Sequence, residues 1–342
     1  MTAKTEDVFQ ARGPIRLAET ERCTIWQFRN ETGDGTMAAY EVFPGAMVSF
    51  NDFHMVRYDS GYVADRELLA IDHCREGRME YQAGENAVAY TEAGDVKLDR
   101  RKLHTGLFEF PSSHYHGLTV VFDLEIIKSS LPAEIRNFPV TPENIISRWE
   151  LGRYPRVLHG AERMEHIFGE MYQVPEKICL PYLKIKILEL LLYLDAVSIP
   201  EKETERPYFY RTQVEKVKAV RQFLMDHMEE NFTQEELSRR FDFPLTPMKN
   251  CFRSAYGSSI GAWLTTYRMN QAAELLLKDR ERTISEIGCQ VATIRNADQI
   301  LVVEDGRIAE KGTHDELIRE NGLYRRFTEI REKAEGWRIA AE

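Results

Sequence analysis

Between residues 15 and 130 the apolar positions recur in short runs broken by glycine or asparagine, not at helical spacing. LLAIDHCREGRMEYQ, Leu68 to Gln82, reads as two strands about Glu76-Gly77, and NAVAYTEAGDVKLD and GLTVVFDLEII predict more. Many short strands with regular turns predict a small barrel or sandwich, and a barrel can enclose a ligand. The texture changes at Thr141, where a cap residue, then Pro142 and Glu143, suit the start of a helix. AERMEHIFGEMYQV and LPYLKIKILELLLYLDAV follow, the second with Leu183, Ile187, Leu190, Leu191 and Leu194 at three-and-four spacing. That stripe predicts a core face, part of which is a candidate dimer seam. SIPEKETERPYFYR, Ser198 to Arg211, is charged, carries two prolines and lacks periodicity, as a linker does.

After it, Val217, Val220, Phe223, Leu224 and Met228 fall on one side of a predicted helix. Thr233 and Glu236 form a capping box for a second, short helix that ends near Phe241. Beyond a turn holding Asp242 and Pro244, Thr246-Pro247 predicts the cap and first-turn proline of a third, with Met248, Cys251, Phe252 and Ala255 inward. Two short helices about a tight turn, the second polar outside, is helix-turn-helix geometry.

Composition narrows the classes. The 342 residues suffice for two or three domains, and 43% hydrophobic with 29% charged is ordinary for a globular chain. A net charge of -10 excludes blanket affinity for nucleic acid, so a DNA-binding surface must be local. From Arg239 to Arg268 five bases (Arg239, Arg240, Lys249, Arg253, Arg268) face one acid, Asp242. A phosphate-contacting surface needs that balance, although on spacing alone a solvated helical bundle fits as well. Five scattered cysteines without C-x-x-C spacing suit a reducing compartment. The N-terminal stretch lacks the apolar core of a signal peptide, and the greasiest segment carries Lys184, Lys186, Glu189 and Asp195. The expectation is a cytoplasmic protein that does not enter the membrane.

The run from Val217 to Asp279, above all MKNCFRSAYGSSIGAWLTTYRMNQAAELL followed by RTISEIGCQV, resembles the AraC/XylS family of bacterial transcription regulators. The resemblance implies two helix-turn-helix units in successive major grooves of double-stranded DNA, joined by the helix holding YRMNQAAELL. It places Thr246, Lys249, Asn250 and Arg253 toward bases or nearby phosphates. Lys249 and Arg253 could then donate to guanine, and Asn250 could pair with adenine. Arg239, Arg240 and Arg268 are carried as further DNA contacts. The resemblance extends more weakly to a cupin-like effector domain and a helical dimerisation hairpin, implying an unidentified small-molecule effector, a homodimer, and RNA polymerase as a candidate partner. His114 and His116 in HYHGLTV resemble the alternating histidines of metal cupins, with His54 and His73 nearby in sequence. A metal needs neutral imidazoles converging with a carboxylate. Packed or surface histidines are the expectation, and no metal, cofactor or catalytic residue is assigned.

At Val291 the family pattern stops. ATIRNADQILVVEDGRIAEKGTHDELIRENGLYRRFTEI resembles the end of an ABC exporter's ATP-binding subunit, with a hairpin turning at Asp305-Gly306, a helix capped by Thr313 and Glu316, and Cys289 where the switch histidine would stand. No G-x-x-x-x-G-K-[ST] occurs, so the phosphate cradle and its lysine are missing and the chain is not expected to be an enzyme. The overall expectation is an α+β protein: a cupin-like β-barrel (15–135), a helical dimerisation hairpin (140–197), a linker (198–211), an all-α helix-turn-helix region whose second unit is truncated (212–290), and an ABC-like β-hairpin plus helix (291–342). The alternative is a dimerising or ligand-binding fusion with weak, non-specific DNA affinity. In the ABC-like tail, Ile300 to Val303 is expected to cover the apolar face of Ile284 and Ile287. A chain truncated after Asp279 should therefore be less soluble and melt lower than the full chain in side-by-side thermal denaturation; equal behaviour would refute that covering role.

Overall fold

The computed structural model describes residues 15–20, 23–60, 66–104, 106–130, 138–160, 162–199, 208–278, 300–304, 307–320 and 322–326. The chain divides into two compact units, residues 1–214 with 254–257, and residues 215–253 with 258–342.

The first unit is mixed α/β and built on a large antiparallel sheet. Its early strands are β1 (Ile15–Glu19), β2 (Cys23–Asn30), β3 (Gly33–Phe43), β4 (Ala46–His54) and β5 (Arg57–Asp59). Then come β6 (Leu68–Gly77), β7 (Met79–Gln82), β8 (Ala87–Thr91), β9 (Val96–Asp99), β10 (Leu107–Glu109), β11 (Tyr115–Asp123), β12 (Arg156–Leu158) and β13 (Phe209–Tyr210). Eight of them form one sheet in the order β1-β2-β3-β4-β11-β6-β9-β12. β10 pairs β5, and β7, β8 and β13 make a three-stranded sheet. The two runs about Glu76-Gly77 are thus separate strands in different sheets, not a hairpin. Gly77 permits that parting: its φ is +81°, and a Cβ there would meet the His114 carbonyl oxygen at 2.0 Å.

Strand alternation gives the large sheet two apolar faces. Val48 and Phe50 of β4, with Leu118, Val120 and Phe122 of β11, join a core completed by helices. These are α1 (Leu124–Ser130), α2 (Pro142–Arg148), α3 (Glu162–Tyr172) and α4 (Cys179–Ala196). α2 starts as the sequence predicts, with a Thr141/Asn144 capping box and Pro142 in the first turn. Leu183, Ile187, Leu190, Leu191 and Leu194 of α4 are all buried in this core. The stripe offered as a dimer seam is therefore filled by the chain's own sheet and helices. The large apolar side chains that α4 leaves exposed are Ile185 and Leu192, two turns apart.

On the opposite face of that sheet Trp26, Phe28, Met37, Phe53 and Tyr115, joined by Tyr58, Met79 and Phe110 from outside it, form a second, aromatic-rich cluster. Between it and β9 lies a buried ionic knot. Arg101 Nη2 reaches Asp72 Oδ1 and Oδ2 at 2.7 and 2.9 Å, Lys97 Nζ lies 3.1 Å from Asp72, and Thr119 donates to Asp72 at 2.8 Å. Asp99 completes it, 3.4 Å from Arg101 and 3.7 Å from Lys97. Arg101 holds a left-handed φ of 54°, fixed by its own N–H donating to Asp99 Oδ1 at 2.8 Å.

After β13, α5 (Arg211–Asp226), α6 (Gln234–Arg240), α7 (Leu245–Tyr256) and α8 (Ile260–Lys278) follow in order, all but the start of α5 and the end of α7 within the second unit. Further on, β14 (Ile300–Glu304) pairs antiparallel with β15 (Arg307–Gly312), and α9 (His314–Arg319) carries the expected Thr313/Glu316 capping box. Ile300 and Val302 are buried against Leu317 and Tyr324 of the same segment. Ile284 and Ile287, which this hairpin was expected to cover, and its turn, Asp305-Gly306, lie outside the described residues.

Burial raises the Asp72 carboxyl, but Arg101 and Lys97 outweigh it and hold the pKa at about 2. Because the folded value lies below the unfolded one, near 3.9, the stabilisation is complete above pH ~4 and fades as pH falls toward ~2. Asp72→Asn should cost about 3–5 kcal/mol at neutral pH, since it leaves two buried cations sharing Asp99 alone. Chemical denaturation at pH 7 and pH 3 checks this, with the variant showing the smaller loss between the two.

Candidate nucleic-acid interface

α5 lays Val217, Val220 and Leu224 inward, each buried. α6 begins at the Thr233/Glu236 capping box and buries Leu237. The chain then turns through Phe241 and Asp242. Asp242 has a φ of 45°, a left-handed conformation that aspartate tolerates better than most residues. The turn is tied twice to Ser238: Phe243 N–H donates to its carbonyl at 2.9 Å, and its hydroxyl donates to the Phe243 carbonyl at 2.7 Å. Lys216 reaches across from α5, donating to the Asp242 carbonyl and lying 3.5 Å from its carboxylate.

α7 starts at Leu245, two residues earlier than expected, so Thr246 and Pro247 belong to its first turn and Thr246 is not its cap. Met248, Cys251 and Phe252 are at 0% exposure. Helical geometry then turns Thr246, Lys249, Asn250 and Arg253 outward, and all four are exposed. Their spacing of i, i+3, i+4 and i+7 is one continuous stripe. Arg239 and Arg240 are exposed at the end of α6, with the Arg240 guanidinium 4.1 Å from the Phe223 ring centroid.

Arg268 departs from the sequence expectation. It sits in α8 at 4% exposure, its Nε donating to the Met228 carbonyl at 2.7 Å and Nη2 to the Glu230 carbonyl at 2.6 Å. Nη1 and Nη2 each lie 3.3 Å from Asn231 Oδ1. Burial among these neutral partners lowers its pKa. Arg268 braces the segment between α5 and α6 and is not available to a phosphate. A charge tally along sequence could not reveal this, because it counts charge without direction. Without Arg268, four exposed bases remain against Asp242.

A second candidate site lies in the first unit, an apolar cavity walled by Trp26, Phe28, Phe53, Phe108 and Tyr115. The Trp26 indole N–H and the Tyr58 hydroxyl border it with no hydrogen-bond partner among the described residues. Asp72 and Arg101 also border it but are spent on each other. His104 beside them is held neutral at a pKa of about 3, by burial first and then by Arg101 and Lys97. Sequence reasoning named none of these residues; the only signal was alternation in strands such as TIWQF, which does not say which face closes on a cavity. His73, one of the sequence's metal candidates, is a packed histidine, stacked on Phe168 at 4.3 Å between ring centroids and 3.2 Å from the Tyr172 hydroxyl.

No known protein-family model matches the chain. Among solved structures it is similar to the AraC-like transcriptional activator CuxR, at a TM-score of 0.30 and 10% identity over 72% of this chain and 86% of that one. It is also similar to unsaturated fatty acid bound ToxT from Vibrio cholerae strain SCE256, at a TM-score of 0.28 and 11% identity over 77% and 88%. Neither TM-score reaches the level at which two folds are the same. Among curated proteins it matches the ATP-dependent lipid A-core flippase of Photobacterium profundum, 48% identical over 62 residues, 18% of this chain and 10% of that protein. The mycobactin import ATP-binding/permease protein IrtA of Mycolicibacterium thermoresistibile is 49% identical over 59 residues, 17% and 6%. The chain thus spans about a tenth or less of the length of these relatives. Among the described residues no helix is long and apolar enough to cross a membrane.

Arg268→Ala would strand the carbonyls of Met228 and Glu230. A loss on the order of 3 kcal/mol in chemical denaturation is expected, as for a buried hydrogen-bond network broken at its charged member.

Proposed function

We propose that the chain is a sequence-specific DNA-binding transcription regulator of AraC type. α7 enters a major groove and presents Arg253, Lys249, Asn250 and Thr246, while Arg239 and Arg240 contact the backbone. The observation that carries this reading is the outward stripe on α7, polar, exposed and backed by a fully buried face. Residues of that kind match what base edges offer: guanine two acceptors, adenine an acceptor and a donor. A single module of this size buries roughly 600–1,000 Å² on DNA, which favours a dimer presenting two modules to two half-sites. With the leucine stripe of α4 committed to the core, Ile185 and Leu192 are the α4 side chains left for such a contact.

The cavity of the first unit serves in this reading as the effector site. Its apolar wall suits an apolar body, and two donors without a partner among the described residues, Trp26 Nε1–H and the Tyr58 hydroxyl, suit a hydrogen-bond acceptor. With Arg101 already paired to Asp72 and His104 neutral, the effector is uncharged. No ATPase or other catalytic activity is proposed.

Arg253→Ala should weaken binding to a cognate duplex by about 1–3 kcal/mol and relax selection at one base position. Arg239→Ala should weaken cognate and scrambled duplexes alike and shrink the salt slope by about one unit. Gel shifts over a salt series decide it. Wild-type binding that is weak and equal on both duplexes would instead favour a dimerising protein without specific DNA recognition.

A further inference from the structure

At one end of the large sheet two histidines meet that neither the DNA-reading stripe nor the apolar cavity uses. His54 ends β4, and His114 immediately precedes β11. The two strands pair antiparallel with Asp52 opposite His116 and Phe53 opposite Tyr115, and the same alignment carried one step on sets His54 beside His114. Their ring centroids lie 4.9 Å apart and their Nδ1 atoms 3.4 Å apart. The far nitrogen of each ring faces a carboxylate: His54 Nε2 is 3.2 Å from Asp52 Oδ1, and His114 Nε2 is 3.5 Å from Glu76 Oε2.

The chemistry of that line of groups is restrictive. A carboxylate only accepts, so each Nε2 carries the ring proton, and in a neutral imidazole that leaves a lone pair on Nδ1. With both rings in that tautomer, the two lone pairs face one another across 3.4 Å, an arrangement that a bound cation would satisfy. Two nitrogens each about 2.0–2.1 Å from a tetrahedral ion stand about 3.3–3.4 Å apart, which is the spacing found. Metal-bound imidazoles also characteristically donate their other N–H to a carboxylate, which fixes tautomer and ring orientation. Asp52 is placed to do more, since one ligand atom from each of Asp52, His54 and His114 lies within 4.8 Å of the other two.

We infer that His54 and His114 bind a divalent transition-metal cation of the zinc class through Nδ1, with Asp52 and Glu76 orienting the rings and lending two negative charges. Imidazole nitrogens beside carboxylates suit such an ion better than calcium or magnesium, which prefer oxygen ligands. The site is separate from the apolar cavity, because Asn51 and Phe53 line that cavity while Asp52 and His54 alternate to the other strand face. It also differs from the pairing that sequence spacing suggests: His114 partners His54 across the strands, whereas His116 sits with its ring 5.4 Å from that of Tyr172.

The test uses the full chain, stripped of metal with a chelator. Zinc is titrated by calorimetry, and cobalt(II) is followed by its visible absorption, which reports tetrahedral coordination. One equivalent should bind, and His54→Ala and His114→Ala should each weaken it at least tenfold. Asp52→Asn should weaken it about 10-fold to 100-fold as an orienting partner. Melting each apo variant separates lost coordination from lost fold, and zinc-edge absorption on the wild-type chain should show two imidazole ligands. The assignment is overturned by the lack of a saturable one-to-one event, by one that survives the His54→Ala/His114→Ala double variant, or by a zinc spectrum without imidazole.

Discussion

α7 buries Met248, Cys251 and Phe252 completely, and that burial fixes which of its residues can meet a partner. A helix turns 100° per residue, so committing those three positions to the interior commits Thr246, Lys249, Asn250 and Arg253 to the outside. The surroundings hold the helix in place: Asp242 takes the left-handed conformation the turn needs, Ser238 bonds both backbone groups of Phe243, and Arg268 pins the segment that enters α6. In the proposed reading, recognition would rest on side chains that carry little structural duty. They are exposed, whereas Arg268 is buried and bonded to backbone carbonyls.

The first unit follows a different constraint. A sheet whose two faces are both apolar must cover both, and here one face meets α1 to α4 while the other gathers an aromatic cluster around a cavity. Charge in that interior is balanced locally, with Asp72 and Asp99 against Lys97 and Arg101. Because each of these ions is satisfied by another, the cavity offers a ligand hydrogen-bond donors but no net charge. The strand that lines the cavity with Asn51 and Phe53 turns Asp52 and His54 the other way, so one alternation serves two separate chemistries.

Local signals were legible in the sequence. The Thr141, Thr233 and Thr313 caps, the buried stripe of α4 and the inward face of α7 are where period and cap chemistry place them. These features depend on residues three or four apart, which a linear reading captures. The misses involve direction or distance along the chain. Arg268 looks like surface charge until the carbonyls of Met228 and Glu230, some forty residues earlier, are seen to receive it. Thr246 reads as a cap because Thr-Pro commonly opens helices, but α7 has already begun at Leu245. The meeting of His54 with His114 spans sixty residues and follows from strand register alone.

Dimethyl sulfate protection tests the central claim most directly, because it reads guanine N7 in the major groove. The full chain would be presented with duplexes enriched by it from a randomised pool. Discrete protected guanines within one turn of the helix per bound module, lost when Arg253 and Lys249 are both alanine, are the result the account predicts. A pool that never enriches, or protection that the double variant retains, would contradict it.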